Sequence, residues 1–174
     1  KQGLSHCSVY SVKAVLSAYG QDLQKKPEDY HISWFGRLTG IALTRQYVVR
    51  ILQKHGLNAT LETAKDLFDK EKLNVLKTML SSNTPVLLSI SNGYAPDGSY
   101  NPTQAKIIGH FITLWGYNDG EQIFYVYDPA VPKNRYNKNI PIGNTKRTYS
   151  EILRDWKAAL SVKLLGGQDY AYIK

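Results

Sequence analysis

The sequence predicts an α+β fold in which an N-terminal helical half packs against a C-terminal antiparallel sheet. Apolar residues in the first half follow the three-and-four spacing of helices, whereas the half that begins at Pro85 has short apolar runs separated by loops rich in Gly, Pro and Asn. Helices followed by strands, without the alternation that builds a parallel sheet, are typical of this class. The length of 174 residues and the 43% of apolar residues predict one domain, residues 1–174.

The first predicted helix carries the only cysteine of the chain in its first turn. It runs from Cys7 to Tyr19, and Gly20 is its stop signal because glycine readily adopts the left-handed conformation that ends helices. The apolar stripe of this helix comprises Val9, Val12, Val15, Leu16 and Tyr19. This stripe predicts a helix that packs on the core and presents a thiol at its start.

The other elements are predicted from periodicity and from end signals. Helices are expected at YHISWFGRL, from Thr44 as the cap to Gly56, from Ala64 to Leu80, and from Thr148 through Trp156 to Leu160. The last of these helices opens with the T-x-x-E pattern of a capping box. Strands are expected at PVLLSIS, HFITLWGY, EQIFYVYD and YAYIK, with loops over 93–109 and 129–147.

Composition restricts the possible functions. A single cysteine cannot form an internal disulfide, so the thiol is free for chemistry. The sequence contains no H-E-x-x-H, no pair of cysteines for zinc, no G-x-S-x-G and no Gly-rich phosphate loop, so we expect no metal and no cofactor. The formal net charge of +8 favours acidic partners in general. The longest apolar runs fall far short of the roughly 20 residues that a membrane span needs.

Four side chains have the chemistry of a cysteine nucleophile site. Cys7 lies at a predicted helix start, where the helix dipole and a nearby imidazolium would lower the pKa of a thiol. Gln2 precedes it and can add an amide donor to the Cys7 backbone N–H for an oxyanion. A lone cysteine in an apolar helix is most often a small buried hydrophobe. The presence of Gln2, His110 and Asp128 in the same chain is what favours a nucleophile.

The predicted strands after the long loop place a histidine near a carboxylate. If Asn118, Asp119 and Gly120 form a three-residue hairpin loop, His110 lies directly opposite Asp128. Opposed side chains on one face of a sheet are close enough for a carboxylate to accept the imidazole N–H. A two-residue turn would shift the pairing by one position. The sequence therefore predicts a Cys, His and Asp triad that depends on the turn.

The chain contains, in this order, Q-G-L-S-H-C before an apolar helix, TPVLLSISNG, GHFITLWGYNDGE and FYVYDPA. These motifs resemble those of the papain-like cysteine peptidases, in particular the bacteriocin leader peptidases and their free-standing bacterial relatives. The resemblance extends through the Trp156 helix and implies a papain-like fold. It also implies that Cys7 is the nucleophile, His110 the general base, Asp128 its orienting carboxylate and Gln2 the oxyanion donor.

The resemblance also implies the partners. We expect a protein or peptide substrate, an inhibitor or immunity protein as a further partner, and no role for nucleic acid. Since the chain begins with Lys1, we expect a bacterial domain excised from a longer polypeptide that is secreted or delivered. One departure is that Ser8, Val9 and Tyr10 follow the cysteine, where the family usually has Gly or Trp. This difference predicts a reshaped groove around the nucleophile.

Two other functions stay open at the level of the sequence. A glutamine deamidase or transglutaminase acting as a toxin or effector domain would use the same thioester step. A non-catalytic binding module would keep the fold and contact an acidic partner through a basic stretch that contains Lys133, Arg135, Lys138, Lys146 and Arg147. Such a stretch is usually a solvated loop. Full activity after Cys7→Ala would favour the binding module.

Overall fold

The computed structural model describes residues 6–40, 44–158 and 167–174. Within these ranges the α-helices are α1 (Cys7–Ala18), α2 (Trp34–Thr39), α3 (Gln46–Lys54), α4 (Asp69–Ser81), α5 (Pro102–Ile107) and α6 (Tyr149–Ala158). The strands are β1 (Ala59–Thr63), β2 (Val86–Ser91), β3 (Gly109–Asn118), β4 (Ile123–Tyr127), β5 (Thr145–Thr148) and β6 (Asp169–Ile173). They form one sheet in the order β1-β6-β2-β3-β4-β5, with every neighbouring pair antiparallel. The predicted α+β class is confirmed.

Helix α1 follows the prediction closely. Four of its stripe residues are fully buried, namely Val9, Val12, Val15 and Leu16. Tyr19 lies beyond the helix and is 37% exposed, so its assignment to the stripe was wrong. Gly20 has a φ of 67° and donates its N–H to Ser17, as expected of a helix-ending glycine. The apolar stripe thus fixes which side of α1 faces the sheet.

The two edge strands, β1 and β5, were missed by the sequence analysis. The segment ATLET forms β1 and pairs with β6, so the helix expected from Ala64 begins only at Asp69. The segment TKRT forms β5 at the other edge, and its first three residues lie in the expected loop over 129–147. Both segments are rich in polar residues, which is common at sheet edges because one side of the strand faces solvent. They therefore lack the apolar runs that identified the inner strands.

Caps account for three further outcomes. The predicted capping box is confirmed, because the Thr148 N–H donates to the Glu151 carboxylate at 2.8 Å and the Glu151 N–H donates to the Thr148 hydroxyl at 3.2 Å. Thr44 is not the cap of α3, since Arg45 occupies that position without a side-chain cap. The expected loop over 93–109 contains α5, which Asn101 caps. Leu160, the expected end of α6, lies outside the described residues.

Helices cover both faces of the sheet. On one face, α1 and α3 pack on side chains such as Leu87 and Ala171, and on the other, α4 and α6 pack on side chains such as Leu88 and Phe124. The two inner strands β2 and β3 are therefore buried on both faces, which explains the nearly continuous apolar run of β2. The Ser11 hydroxyl donates to the Phe111 carbonyl at 3.2 Å and ties α1 to the beginning of β3.

The β3–β4 hairpin has a different register from the predicted one. Asn118 pairs with Ile123, so the loop runs over 119–122, and the register shifts again between Leu114 and Gly116. The prediction failed because it assumed a three-residue loop and no bulge, and each of these features moves the pairing. His110 pairs instead with Ile90 of β2.

Candidate active site

Cys7 is the first residue of α1, where helix N–H groups point toward its side chain. The helix is 12 residues long, and its dipole places partial positive charge at the Cys7 end. No acidic side chain in the first turn and no basic side chain in the last turn compensates this dipole. The side chain of Cys7 is partly buried, and the imidazole of His110 lies near enough for its charge to act on the thiol. The residue thus occupies the position at which a helix start and an imidazole both favour a thiolate.

The structure brings His110 and Asp128 into direct contact. The Nε2 atom of His110 lies 2.7 Å from Oδ1 of Asp128, and the two residues are only 4% and 2% exposed. Because Asp128 engages Nε2, Nδ1 is the ring nitrogen that is left for the thiol of Cys7. The contact between the predicted His and Asp is therefore present, although the predicted register is absent.

The observed register explains why the contact forms. Thr113 pairs with Tyr127, so extending the register by one residue sets Asp128 level with Ile112. His110 lies two residues back along the same face of β3 and is a diagonal neighbour of Asp128. Diagonal Cα atoms are about 7–8 Å apart, which a long ring and a carboxylate can bridge. The diagonal pairing serves the same purpose as the direct one that was predicted.

Three groups besides His110 hold Asp128. Its Oδ1 accepts the Ala130 N–H at 2.9 Å, and its Oδ2 accepts Nη2 of Arg147 at 2.6 Å. Asn144 binds the backbone of Asp128 twice, donating to its carbonyl and accepting from its N–H, each at 2.9 Å. Both carboxylate oxygens are thus occupied by donors, and the orientation of the side chain is determined by its surroundings.

Gly143 allows Asn144 to reach this position. It has a φ of 92°, and a Cβ atom there would lie 2.3 Å from the carbonyl oxygen of Val126. Any other residue would therefore be strained and would collide with the backbone of β4. The close approach lets the Asn144 N–H donate to Val126 at 2.8 Å, next to Asp128.

The sequence analysis placed Arg147 in a basic stretch that is usually a solvated loop and, alternatively, a contact surface, but the structure buries this residue. It is 2% exposed, and its Nη1 donates to Asp155 at 2.9 Å while Nη2 donates to Asp128. Two other members of the stretch are also paired, Arg135 with Glu151 at 2.9 Å and Lys146 with Glu121 at 3.0 Å. The proposed basic surface is therefore reduced to its exposed lysines. No apolar alternation in TKRT marks this burial, since Thr145 and Arg147 face the interior only because β5 pairs with β4.

The charges in this site shift three pKa values in directions that favour a nucleophilic thiol. Burial alone would raise the pKa of Cys7, but the charge and hydrogen bond of His110 outweigh it and lower that pKa. Burial alone would lower the pKa of His110, but Asp128 and the Cys7 thiolate raise it. Burial alone would raise the pKa of Asp128, but His110 and Arg147 hold it well below its usual range. These shifts stabilise a thiolate, an imidazolium and a carboxylate together.

Gln2, the predicted oxyanion donor, lies outside the described residues. His6, which precedes the thiol, turns away from it and places Nδ1 at 3.1 Å from Nε2 of His31. Nδ1 of His31 lies 3.0 Å from the Tyr47 hydroxyl.

Within the described ranges, no helix is both long and apolar enough to span a bilayer. Nor does this part of the chain contain a cluster of three or more His, Cys, Asp or Glu side chains arranged to hold a metal ion.

The fold resembles that of a solved bacterial protein. The crystal structure of a protein described as a candidate C39-like peptidase from Bacillus anthracis superposes with a TM-score of 0.59 over 98% of this chain and 90% of the other. The two sequences are 15% identical, so this likeness shows the fold alone. Comparison with curated proteins gives no match.

Helices cover both faces of the antiparallel sheet, and α1 presents Cys7 beside the beginning of β3. Together with the family match, this fold defines the chain as a member of the papain-like cysteine peptidase superfamily. Within that superfamily it belongs to the Peptidase_C39 like family, whose model matches residues 1–161. The chain is therefore cysteine peptidase-like, and the resemblance noted in the sequence is confirmed at this level.

Proposed function

We propose that the protein is a hydrolase that cleaves amide bonds of a protein or peptide substrate through a thioester on Cys7. The observation that carries the proposal is that His110 lies beside the thiol at the start of a helix and contacts Asp128 at 2.7 Å. Membership of a peptidase family supports a protein or peptide as the substrate. An inhibitor or immunity protein that covers the thiol is a further expected partner.

In the first half of the proposed reaction the substrate is cut. The Cys7 sulfur attacks the carbonyl carbon, a C–S bond forms, and the carbonyl electron pair moves to oxygen. The Cys7 backbone N–H and the amide of Gln2 are proposed to bind this oxyanion. His110 then donates its proton to the leaving nitrogen as the C–N bond breaks, which releases an amine and leaves a thioester.

In the second half the thioester is hydrolysed. Neutral His110 accepts a proton from water as the oxygen adds to the thioester carbon. The C–S bond then breaks, the acid product leaves, and the thiolate and imidazolium are restored. Asp128 binds Nε2 throughout, which keeps Nδ1 directed at the reacting atoms and balances the positive charge of the ring.

Deamidation and transglutamination are the alternative outcomes of the same thioester. In a deamidase the leaving group is ammonia from a side-chain amide, and in a transglutaminase an amine replaces water in the second half. The site contacts described above are compatible with all three reactions, since none of them reaches the substrate. The family match favours peptide-bond hydrolysis.

Mass spectrometry of a mixture of proteins exposed to the enzyme separates these reactions. New N-termini that appear with the wild type and not with Cys7→Ala are the expected result. Glutamines that gain about one dalton would instead identify a deamidase, and amine adducts a transglutaminase. If no product of any kind depends on Cys7, the proposal is wrong and a non-catalytic binding module is favoured.

A further inference from the structure

Arg147 makes a buried bridge between the carboxylate behind His110 and a second carboxylate on α6. The guanidinium contacts Oδ2 of Asp128 at 2.6 Å and Oδ2 of Asp155 at 2.9 Å. Asp155 is fully buried, and it also accepts hydrogen bonds from Tyr100 at 3.0 Å and from Arg154 at 2.8 Å. The arginine thus binds Asp155 through Nη1 and Asp128 through Nη2, and this second carboxylate fixes its position independently of Asp128.

In the proposed reaction, a positive charge that does not change with the state of His110 would keep the Asp128 carboxylate ionised. His110 is neutral after it has protonated the leaving amine, and at that stage a buried Asp128 would lose its charged partner on β3. A buried carboxylate without a partner takes up a proton, and a protonated Asp128 no longer balances an imidazolium. An arginine stays charged at every accessible pH, so Arg147 can keep the carboxylate ionised when His110 cannot.

The other groups near this carboxylate do not supply that charge. On α1, Cys7 interacts with Asp128 through its charge, but its thiolate is negative and raises the pKa of His110. On β4, burial, Tyr10 and Asp128 keep Tyr127 neutral by raising its pKa. Arg147 on β5 is the cation that contacts Asp128 directly, and Asp155 lies beyond it.

We propose that Arg147 is a positioning residue that keeps Asp128 ionised and directed at His110 while the imidazole is neutral. This proposal rests on the function proposed above, because the neutral imidazole arises in that reaction. Its consequence is that Arg147 lowers the affinity of the His110–Asp128 pair for a proton. The pair can then release a proton to the leaving group and accept one from water near neutral pH.

The hydrolysis of an acetylated Cys7 tests this role without a natural substrate. p-Nitrophenyl acetate transfers its acetyl group to a reactive thiol and releases p-nitrophenolate, and water then removes the acetyl group with His110 as the base. Intact-protein mass spectrometry gives the deacetylation rate at each pH. In Arg147→Met the pH at which this rate reaches half its maximum should rise by about 1 unit or more, as expected when a charge in contact is lost.

Two further variants separate charge from packing. Arg147→Lys keeps the charge and should restore most of the wild-type pH profile. Arg135→Met is the matched control, because Arg135 pairs with Glu151 and lies 4.1 Å from the ring centre of Tyr94, without contacting Asp128. Its pH profile should coincide with that of the wild type. If Arg147→Met does not fold, Arg147→Met combined with Asp155→Asn removes the charge together with its second partner and carries the same test.

The possible failures are distinguishable. If wild-type Cys7 takes up no acetyl group, the proposed nucleophile is wrong and the role of Arg147 is overturned with it. If Cys7 is acetylated but the profile of a folded Arg147 variant does not move, only the role of Arg147 is overturned. A profile that moves equally in Arg135→Met would show a general effect of lost ion pairs and would also overturn it.

Discussion

The replacement Asp128→Asn tests how the site uses its carboxylate. The two oxygens of Asp128 accept from His110 at 2.7 Å, from the Ala130 N–H at 2.9 Å and from Arg147 at 2.6 Å. An asparagine has one acceptor oxygen and one donor NH₂ group in the same volume. Whichever way the amide turns, its NH₂ group must face a donor.

Each orientation of the new amide has a defined defect. With its oxygen toward His110, the amide keeps the Nε2–H tautomer but leaves the imidazolium without a balancing charge and removes one of the two carboxylates that pair with Arg147. With its oxygen toward Arg147, it offers NH₂ to Nε2 and stabilises the tautomer whose Nδ1 carries the proton and cannot accept one. Both orientations weaken proton transfer at the atom that faces Cys7.

The expected loss of turnover is about 10⁴-fold, as in other triads after this exchange. At about 1.36 kcal/mol per tenfold this corresponds to a barrier increase of roughly 5 kcal/mol. Removing one partner of the buried Asp128–Arg147 pair should also lower the free energy of unfolding by about 3–5 kcal/mol. The rates must therefore be measured well below the melting temperature of the variant.

Single-turnover acylation is the appropriate assay, and Asp119→Asn is the matched control. Asp119 is an exposed carboxylate in the β3–β4 loop that pairs with Lys77 at 2.8 Å and accepts from Tyr149 at 2.8 Å. Solvent screens an exposed pair of this kind, so its loss should lower the melting temperature only slightly and leave acylation nearly unchanged. A control variant that loses more activity than Asp128→Asn would refute the assignment of Asp128.

Three further predictions concern the nucleophile and its surroundings. Because His110 lowers the pKa of Cys7, alkylation of the thiol by iodoacetamide should stay fast below neutral pH; a rate that follows an ordinary thiol of pKa near 8.5 would contradict the thiolate. Gln2→Ala should lower turnover by about 10²–10³-fold with little change in melting, and unchanged turnover would remove Gln2 from the mechanism. Asn144→Ala, which deletes two hydrogen bonds to the backbone of Asp128, should lower the unfolding free energy by about 1–3 kcal/mol and slow acylation less than Asp128→Asn does, as measured by denaturant titration and single-turnover rates.

The sequence predicted those parts of the fold that follow from apolar pattern. The stripe of α1 and the runs of β2, β3 and β4 are signals that arise because these elements are buried. The edge strands β1 and β5 have no such signal, since their position follows from pairing with a distant strand. The T-x-x-E pattern located the start of α6 for a different reason, because a capping box is satisfied by residues close in sequence.

The candidate site was predictable in its chemistry and less so in its geometry. Cys7, His110 and Asp128 were selected by residue type and order, and the structure brings all three together. The predicted hairpin register was wrong because the loop has four residues instead of three and β3 contains a bulge. Neither feature is visible in the apolar alternation that was used to assign the strands. The predicted contact between His110 and Asp128 nevertheless forms, because diagonal and directly opposed residues lie on the same face of the sheet.

The buried charges behind His110 were the least predictable part, and the reason is physical. In a single sequence an arginine in a stretch rich in Lys and Asn looks like a solvated residue, because burial of a charge is unfavourable unless partners compensate it. Here the partners of Arg147 are Asp128, directly after β4, and Asp155 on α6, and neither is marked by local spacing. Such an ion pair is weak evidence for stability, since an apolar pair of similar volume often serves the fold equally well. The fold already has two apolar clusters, one on each face of the sheet, to stabilise it. The presence of a buried arginine in direct contact with Asp128 is therefore better explained by the charge that Asp128 must keep than by the stability of the sheet.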